Sequence, residues 1–72
     1  MSIGENIRAL RTRAGMNQTE LANGVGVAQS MICQIERGTK ACSMQLGAEI
    51  ARVLGCEVAE LYIDQRTAGQ SA

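Results

Sequence analysis

The side chains that carry most protein chemistry are scarce in this sequence. It has no histidine, so the commonest general base and metal ligand is missing. Its three cysteines, Cys33, Cys42 and Cys56, form no C-x-x-C pair and cannot complete a four-ligand zinc site without histidine. We therefore predict no enzyme, no metal site and no cofactor, and we expect reduced thiols that pack against other residues. A redox switch at Cys33 is the alternative.

A second group of side chains could form hydrogen bonds with the edges of bases. Gln29, Ser30 and Gln34 are polar and uncharged, and their spacing directs them away from an apolar helix face that carries Ile32 and Ile35. Glutamine can form two hydrogen bonds with adenine in the major groove of DNA. From spacing alone, an ordinary solvated helix face explains these residues better than a nucleic-acid contact does.

Five short helical segments must position these residues, and together they predict an all-α fold, a compact five-helix bundle. Apolar residues recur three or four positions apart, and glycines end several segments. We expect one domain over residues 1–64 and a flexible tail over residues 65–72. Without a cationic leader or a long apolar stretch, a cytoplasmic protein with no membrane contact is expected. The predicted inward-facing residues are Ile3, Ile7, Leu10, Ala14, Leu21, Ala22, Val25, Ile32, Ile35, Met44, Gly47, Ile50, Ala51 and Leu54.

The second and third segments predict a helix-turn-helix over residues 18–37. Asn17 and Glu20 have the spacing of a capping box that opens the second helix. Gly26 is the predicted position of positive φ, at which the chain turns sharply. The third helix follows from about Ala28 to Arg37, and Ala28 gives it no side-chain cap. Each position has its own packing or turn reason, so the set indicates this motif more strongly than any single residue does.

At these positions the sequence resembles the Cro and phage-repressor-like (XRE-type) helix-turn-helix family, which has the lambda-repressor-like fold. The resemblance covers roughly residues 3–62 and implies a DNA-binding protein whose third helix enters the major groove. It favours base reading by Gln29, Ser30 and Gln34, with Met31 and Cys33 beside them as contacts for thymine methyl groups. The residues that carry the resemblance are Ile7–Arg11, Asn17–Ala22, Ile35–Gly38, Ile50–Ala51, Leu54–Gly55 and Glu60–Leu61.

Predicted phosphate contacts flank the third helix. Gln18 begins the second helix, where N–H donors converge and the helix dipole favours an anion. In the resembling family a glutamine at this position commonly binds phosphate. The other candidates are Asn17, Arg13, Arg37 and Lys40.

Charge is distributed unevenly along a chain whose net charge is zero. Residues 1–40 carry five Arg and Lys against three Glu, a net +2, and residues 41–72 carry two Arg against four acidic residues, a net −2. The predicted DNA-binding face therefore lies on the positive half. Glu36 would repel a phosphate, and the resemblance implies that Arg11 pairs with it in a partly buried structural bridge.

Because so small a domain makes few phosphate contacts, we predict a homodimer on a roughly palindromic operator in double-stranded DNA. Bound there, it would regulate transcription as phage repressors and restriction–modification controller proteins do, and RNA polymerase is a further candidate partner. A protein-interaction module, such as an antitoxin-like partner with secondary DNA binding, is the functional alternative. Leu46 is expected to face away from the stripe that carries Met44 and Ile50. The candidate dimer residues, which could instead close the monomer core, are Leu46, Val53, Val58, Tyr62 and Ile63.

Overall fold

Residues 2–62, the part of the 72-residue chain that the computed structural model describes, contain five α-helices joined by short loops. There is no strand within these residues, so the predicted all-α, five-helix class is confirmed. None of these helices has the length and apolarity needed to cross a lipid bilayer. Ile63 and the predicted tail lie outside the described residues. The helices are α1 (Ile3–Arg13), α2 (Gln18–Val25), α3 (Gln29–Arg37), α4 (Met44–Leu54) and α5 (Val58–Tyr62).

Side-chain caps fix the first turns of three helices. Ser2 and Glu5 form a capping box at α1, in which the Glu5 N–H donates to Ser2 Oγ at 3.2 Å. Asn17 and Glu20 form the predicted box at α2, with the Glu20 N–H donating to Asn17 Oδ1 at 2.7 Å. The hydroxyl of Ser43 caps α4 by accepting from the Leu46 N–H at 3.1 Å. These bonds satisfy N–H groups that have no partner inside the helix.

The turn between α2 and α3 depends on Gly26, which has a φ of 85°. A residue with a Cβ is strained in this left-handed region, and glycine is not. The N–H groups of Gly26 and Val27 both donate to the carbonyl oxygen of Ala22, at 2.8 and 3.0 Å, and close the end of α2. Ala28, the next residue before α3, gives no side-chain cap. The predicted helix-turn-helix geometry is confirmed.

Every helix contributes to one buried core. Ile32 and Ile35 of α3 belong to this core, so one face of α3 is buried and the opposite face is exposed to solvent. Each large apolar side chain buried there stabilises the fold by about 1.5–3 kcal/mol. The fully buried large side chains are Ile7, Leu21, Ile32, Ile35, Ile50 and Leu61.

Three positions differ from the predicted inward and outward faces. Ala14 is exposed because it caps the end of α1. Met44 is 67% exposed as the first residue of α4. Leu46 packs against the core, so the expectation that it faces away is wrong. Helical periodicity predicts an inward face along the whole of a segment. At the end of a helix, however, a residue can extend beyond the neighbouring helices and stay exposed.

Contacts from α1 hold both α3 and α5. A Cβ on Gly4 would overlap the carbonyl oxygen of Ile35 and lie 2.7 Å from that of Glu36, so α1 crosses the end of α3 at a glycine. Further along α1, buried Asn6 donates from Nδ2 to the carbonyl oxygen of Leu61 at 2.9 Å. Neither contact is predicted by the sequence. Together these two contacts hold α3 and α5 against α1, so the exposed face of α3 has a fixed position in the fold.

Candidate nucleic-acid interface

The outward face of α3 carries the predicted base-reading residues at different depths. Gln29, Ser30 and Gln34 are exposed, as major-groove contact requires. Met31 is half-buried and packs against the core, so its side chain is shared between core and surface. Cys33, also predicted to contact thymine methyl groups, is half-buried as well. The surface available to a ligand is therefore mainly amide and hydroxyl groups.

Two of the predicted contact residues are hydrogen-bonded to each other. Nε2 of Gln29 donates to Oε1 of Gln18 at 2.7 Å, across the turn that joins α2 and α3. Both residues occupy the first position of their helices. The predicted phosphate contact and the first base-reading residue thus form one unit.

The ion pair that the resemblance implies, Arg11 with Glu36, is present. Arg11 Nε donates to Glu36 Oε2 at 2.8 Å, and Arg11 Nη2 donates to Glu36 Oε1 at 3.2 Å. The Arg11 side chain is 13% exposed and that of Glu36 is 3% exposed. Arg11 Nη1 also donates to the carbonyl oxygen of Met16 at 2.8 Å, so the pair ties α1 to α3 and to the loop before α2. Burial of this kind requires that each charge keeps its partner.

Gln18 is also bound to this pair, which the sequence does not predict. Its Nε2 donates to Glu36 Oε1 at 3.1 Å. The chain of contacts therefore runs from Arg11 through Glu36 and Gln18 to Gln29. The motif predicts that Gln18 begins α2. That the end of α3 lies beside Gln18 follows only from the packing of the two helices.

The remaining predicted phosphate contacts do not lie together. Arg37 lines a surface cleft of about 330 Å³ with Gln18 and Cys33. Arg13 lies on a different cleft, between the ends of α1 and α4 and the start of α5. Lys40 is exposed in the loop after α3. The Asn17 oxygen is occupied by its capping bond, so this residue acts first as a cap.

Arg8 is a further cation at the site that the sequence does not single out. It is exposed and lines the same cleft as Arg37 and Gln18. Its position three residues before Arg11 places both on one face of α1, which is the available signal. With Arg37, it gives this cleft two exposed positive charges.

The three cysteines are unpaired thiols. Burial raises the pKa of Cys42 above its ordinary value. Burial also raises the pKa of Cys56, and the nearby carboxylates of Glu60 and Glu57 raise it further. Both thiols therefore remain protonated near neutral pH. Residues 2–62 contain no cluster of side chains suited to hold a metal ion.

Several of the candidate dimer residues are partly buried within the monomer. Leu46, Val53 and Val58 are half-buried against the core. Val53 also packs against α2, where a Cβ on Gly24 would lie 3.0 Å from its Cγ1. Tyr62 is 44% exposed.

The known proteins that are similar to this chain include a phage repressor, an archaeal regulator and a controller protein. RstR, a transcriptional repressor of cryptic phage CTXphi from Vibrio cholerae, is 36% identical over 61 residues, which cover 85% of this chain and 55% of the repressor. An HTH-type transcriptional regulator from Archaeoglobus fulgidus is 40% identical over 57 residues, covering 79% and 81% of the two chains. The crystal structure of the restriction-modification controller protein C.AhdI from Aeromonas hydrophila has a TM-score of 0.80 and 34% identity, covering 82% of this chain and 89% of that chain.

The turn at Gly26 and the exposed face of α3 define a helix-turn-helix protein. Residues 7–61 match the profile of the helix-turn-helix family, and the chain belongs to that family, of the XRE type that its sequence resembles. This is a class of DNA-binding transcriptional regulators and not of enzymes, so the predicted family and class are confirmed. The chain spans about half the length of the Vibrio repressor.

Proposed function

We propose that this chain is a sequence-specific transcriptional regulator that places α3 in the major groove of double-stranded DNA. The observation that carries the proposal is the exposed, uncharged face of α3, which bears Gln29, Ser30 and Gln34 opposite the buried Ile32 and Ile35. Base edges in the major groove present paired donors and acceptors that such side chains match. Because this face belongs to a helix held by the core, its side chains are presented from a rigid support.

Phosphate contacts in this proposal surround the reading face. Arg37 is the last residue of α3 and Lys40 lies in the loop after it, while Arg8 projects from α1 into the cleft shared with Arg37. Gln18, at the first position of α2, approaches a phosphate through its backbone N–H as well as its side chain. With zero net charge, the chain attracts DNA only through this face, so its non-specific affinity is weak and falls with salt.

We also propose that the protein acts as a homodimer on a roughly palindromic operator. Tyr62 and Met44, 44% and 67% exposed, provide apolar surface on the acidic half of the chain. The exposed parts of Leu46, Val53 and Val58 would extend this surface, with Ile63 following in sequence. Occupying the operator would block or recruit RNA polymerase in the cytoplasm, where thiols stay reduced.

The test is selection of binding sites from random duplexes. We expect a palindrome whose half-sites are about one helical turn, ~34 Å, apart. Gln29→Ala and Gln34→Ala should each relax the preference at a separate position by roughly 1–3 kcal/mol. Gln45→Ala removes an exposed glutamine of α4 and serves as the matched control.

Two outcomes would contradict the proposal. Equal affinity for random duplexes and for the best selected site would rule out sequence-specific DNA reading and favour the protein-interaction module. Sedimentation as a monomer, both free and on a duplex carrying both half-sites, would remove the dimer alone.

A further inference from the structure

A continuous chain of hydrogen bonds joins a buried carboxylate to the first base-reading residue. Glu36 Oε1 accepts from Gln18 Nε2 at 3.1 Å, and Gln18 Oε1 accepts from Gln29 Nε2 at 2.7 Å. Glu36 is held on its other side by Arg11, which donates to both carboxylate oxygens. We name this chain, Glu36 to Gln18 to Gln29, the amide relay.

Chemistry fixes the direction of every bond in the amide relay. A carboxylate can only accept hydrogen bonds, and both oxygens of Glu36 accept from the guanidinium of Arg11. Gln18 must therefore turn its NH₂ group towards Glu36, which leaves its oxygen facing Gln29. Gln29 must then turn its own NH₂ group towards Gln18. The usual ambiguity between the oxygen and nitrogen of an amide is removed by the charge at the start of the relay.

We propose that Glu36 is a positioning residue that sets the base preference of Gln29 without touching DNA, an inference that rests on the proposed function. One N–H of Gln29 is occupied by Gln18. When Gln18 binds the N–H anti to the oxygen, the other N–H and the oxygen lie on the same edge of the amide and form a donor–acceptor pair in fixed order. That pair matches N7 and the N6 amino group of adenine. Turning the amide over would reverse the order and set oxygen against N7, which is also an acceptor.

Gln34 provides an internal comparison on the same helix face. It is exposed, and its side chain makes no hydrogen bond within residues 2–62. Its amide can therefore take either orientation before binding. We expect adenine to be preferred more strongly at the Gln29 position than any one base is at the Gln34 position.

The experiment repeats the site selection with three variants. Glu36→Gln keeps the shape of the side chain but can donate as well as accept, so the relay loses its direction. Gln18→Met cuts the relay and leaves the Arg11–Glu36 pair in place. Glu20→Gln makes the same change of charge on α2 and keeps a residue suited to the capping box, so it is the matched control.

We expect Glu36→Gln and Gln18→Met to lower the preference for adenine at the Gln29 position about tenfold, within the range for one paired amide contact. Both should leave the Gln34 position unchanged, and Glu20→Gln should alter neither. Loss of stability or of a phosphate contact would instead lower affinity for all sequences alike. In the DNA-free protein, the side-chain NH₂ resonances of Gln18 and Gln29 should shift in Glu36→Gln and not in Glu20→Gln.

The outcomes separate this inference from the function on which it rests. If the wild-type protein selects no site, both are overturned. If it selects a site that Gln29→Ala relaxes, but Gln18→Met and a folded Glu36→Gln retain the adenine preference, only the inference is overturned. If Glu36→Gln does not fold, the result with Gln18→Met decides.

Discussion

Asn6, buried in α1, donates a hydrogen bond from Nδ2 to the main-chain oxygen of Leu61 in α5, 2.9 Å away and 55 residues later. The five residues of α5 are too few to form a stable helix alone. This bond and the burial of Leu61 therefore hold α5 in place. The exposed Tyr62, the next residue, is positioned by the same contact.

Asn6→Ala should destabilise the fold by about 1–3 kcal/mol, since the buried oxygen of Leu61 loses its donor. Denaturant unfolding followed by circular dichroism measures the change. Asn23→Ala alters an exposed asparagine of α2 and should be neutral or slightly stabilising, because alanine favours helix. Equal effects of the two substitutions would mean that the bond to Leu61 contributes nothing.

Two Arg–Glu pairs in this chain differ in burial and should differ in energy. Arg11→Met leaves the carboxylate of Glu36, 3% exposed, without its partner and should cost about 3–5 kcal/mol. In a domain this small, that loss approaches the whole free energy of unfolding. Arg52→Met breaks the pair with Glu49, whose side chains are 66% and 47% exposed, and should cost at most about 1 kcal/mol.

Thermal unfolding of the two variants measures this difference. Arg52→Met should shift the midpoint by only a few degrees, whereas Arg11→Met should be partly unfolded at 25 °C. Similar midpoints for both variants would contradict the structural role of the buried pair.

Local signals predict most of this fold. The capping box of Asn17 and Glu20, the turn at Gly26 and the buried faces of α2 and α3 each depend on residues within one or two helical turns. Helical spacing likewise predicts that the amides of Gln29 and Gln34 and the hydroxyl of Ser30 are exposed opposite the buried Ile32 and Ile35.

Contacts between distant segments account for what the sequence does not predict. Gln18 at the start of α2 meets Glu36 at the end of α3 only because the turn brings the two helices across one another. By helix propensity, Gly4 is unfavourable in a helix and Asn6 is close to neutral. Their contribution to stability follows only from the packing of α3 against Gly4 and of α5 against Asn6. The depth of Met31 depends likewise on the core beneath it.

Gly4→Ala tests the close crossing of α1 and α3. The new methyl group would overlap the Ile35 carbonyl oxygen and crowd that of Glu36, and backbone atoms cannot move aside without shifting a helix. We expect destabilisation by about 1–3 kcal/mol, the range for overpacking, despite the better helix propensity of alanine.

Gly24→Ala is the matched control. Its methyl group would lie 3.0 Å from Val53 Cγ1, a side-chain atom that can move by a few tenths of an ångström. The gain in helix propensity then offsets most of the crowding. The free energy of unfolding in urea should be much lower for Gly4→Ala than for Gly24→Ala. The opposite order would contradict the close crossing of α1 and α3.

The environments of the thiols predict how they react. Alkylation proceeds through the thiolate, and burial raises the pKa of Cys42 while burial, Glu60 and Glu57 raise that of Cys56. At pH 7.5, iodoacetamide should modify both more slowly in the folded protein than in urea. The pH of half-maximal rate should lie above 9.0, the ordinary value for a cysteine thiol.

Carboxylate removal separates electrostatics from burial at these two thiols. Glu57→Gln with Glu60→Gln should lower the pH of half-maximal rate at Cys56 and leave that of Cys42 unchanged, because the pKa of Cys42 is raised by burial alone. Mass spectrometry of peptides from protein alkylated across a pH series gives both values at once. Equal shifts at the two cysteines would mean that the variant loosens the whole fold, and no shift at Cys56 would mean that the carboxylates do not influence it.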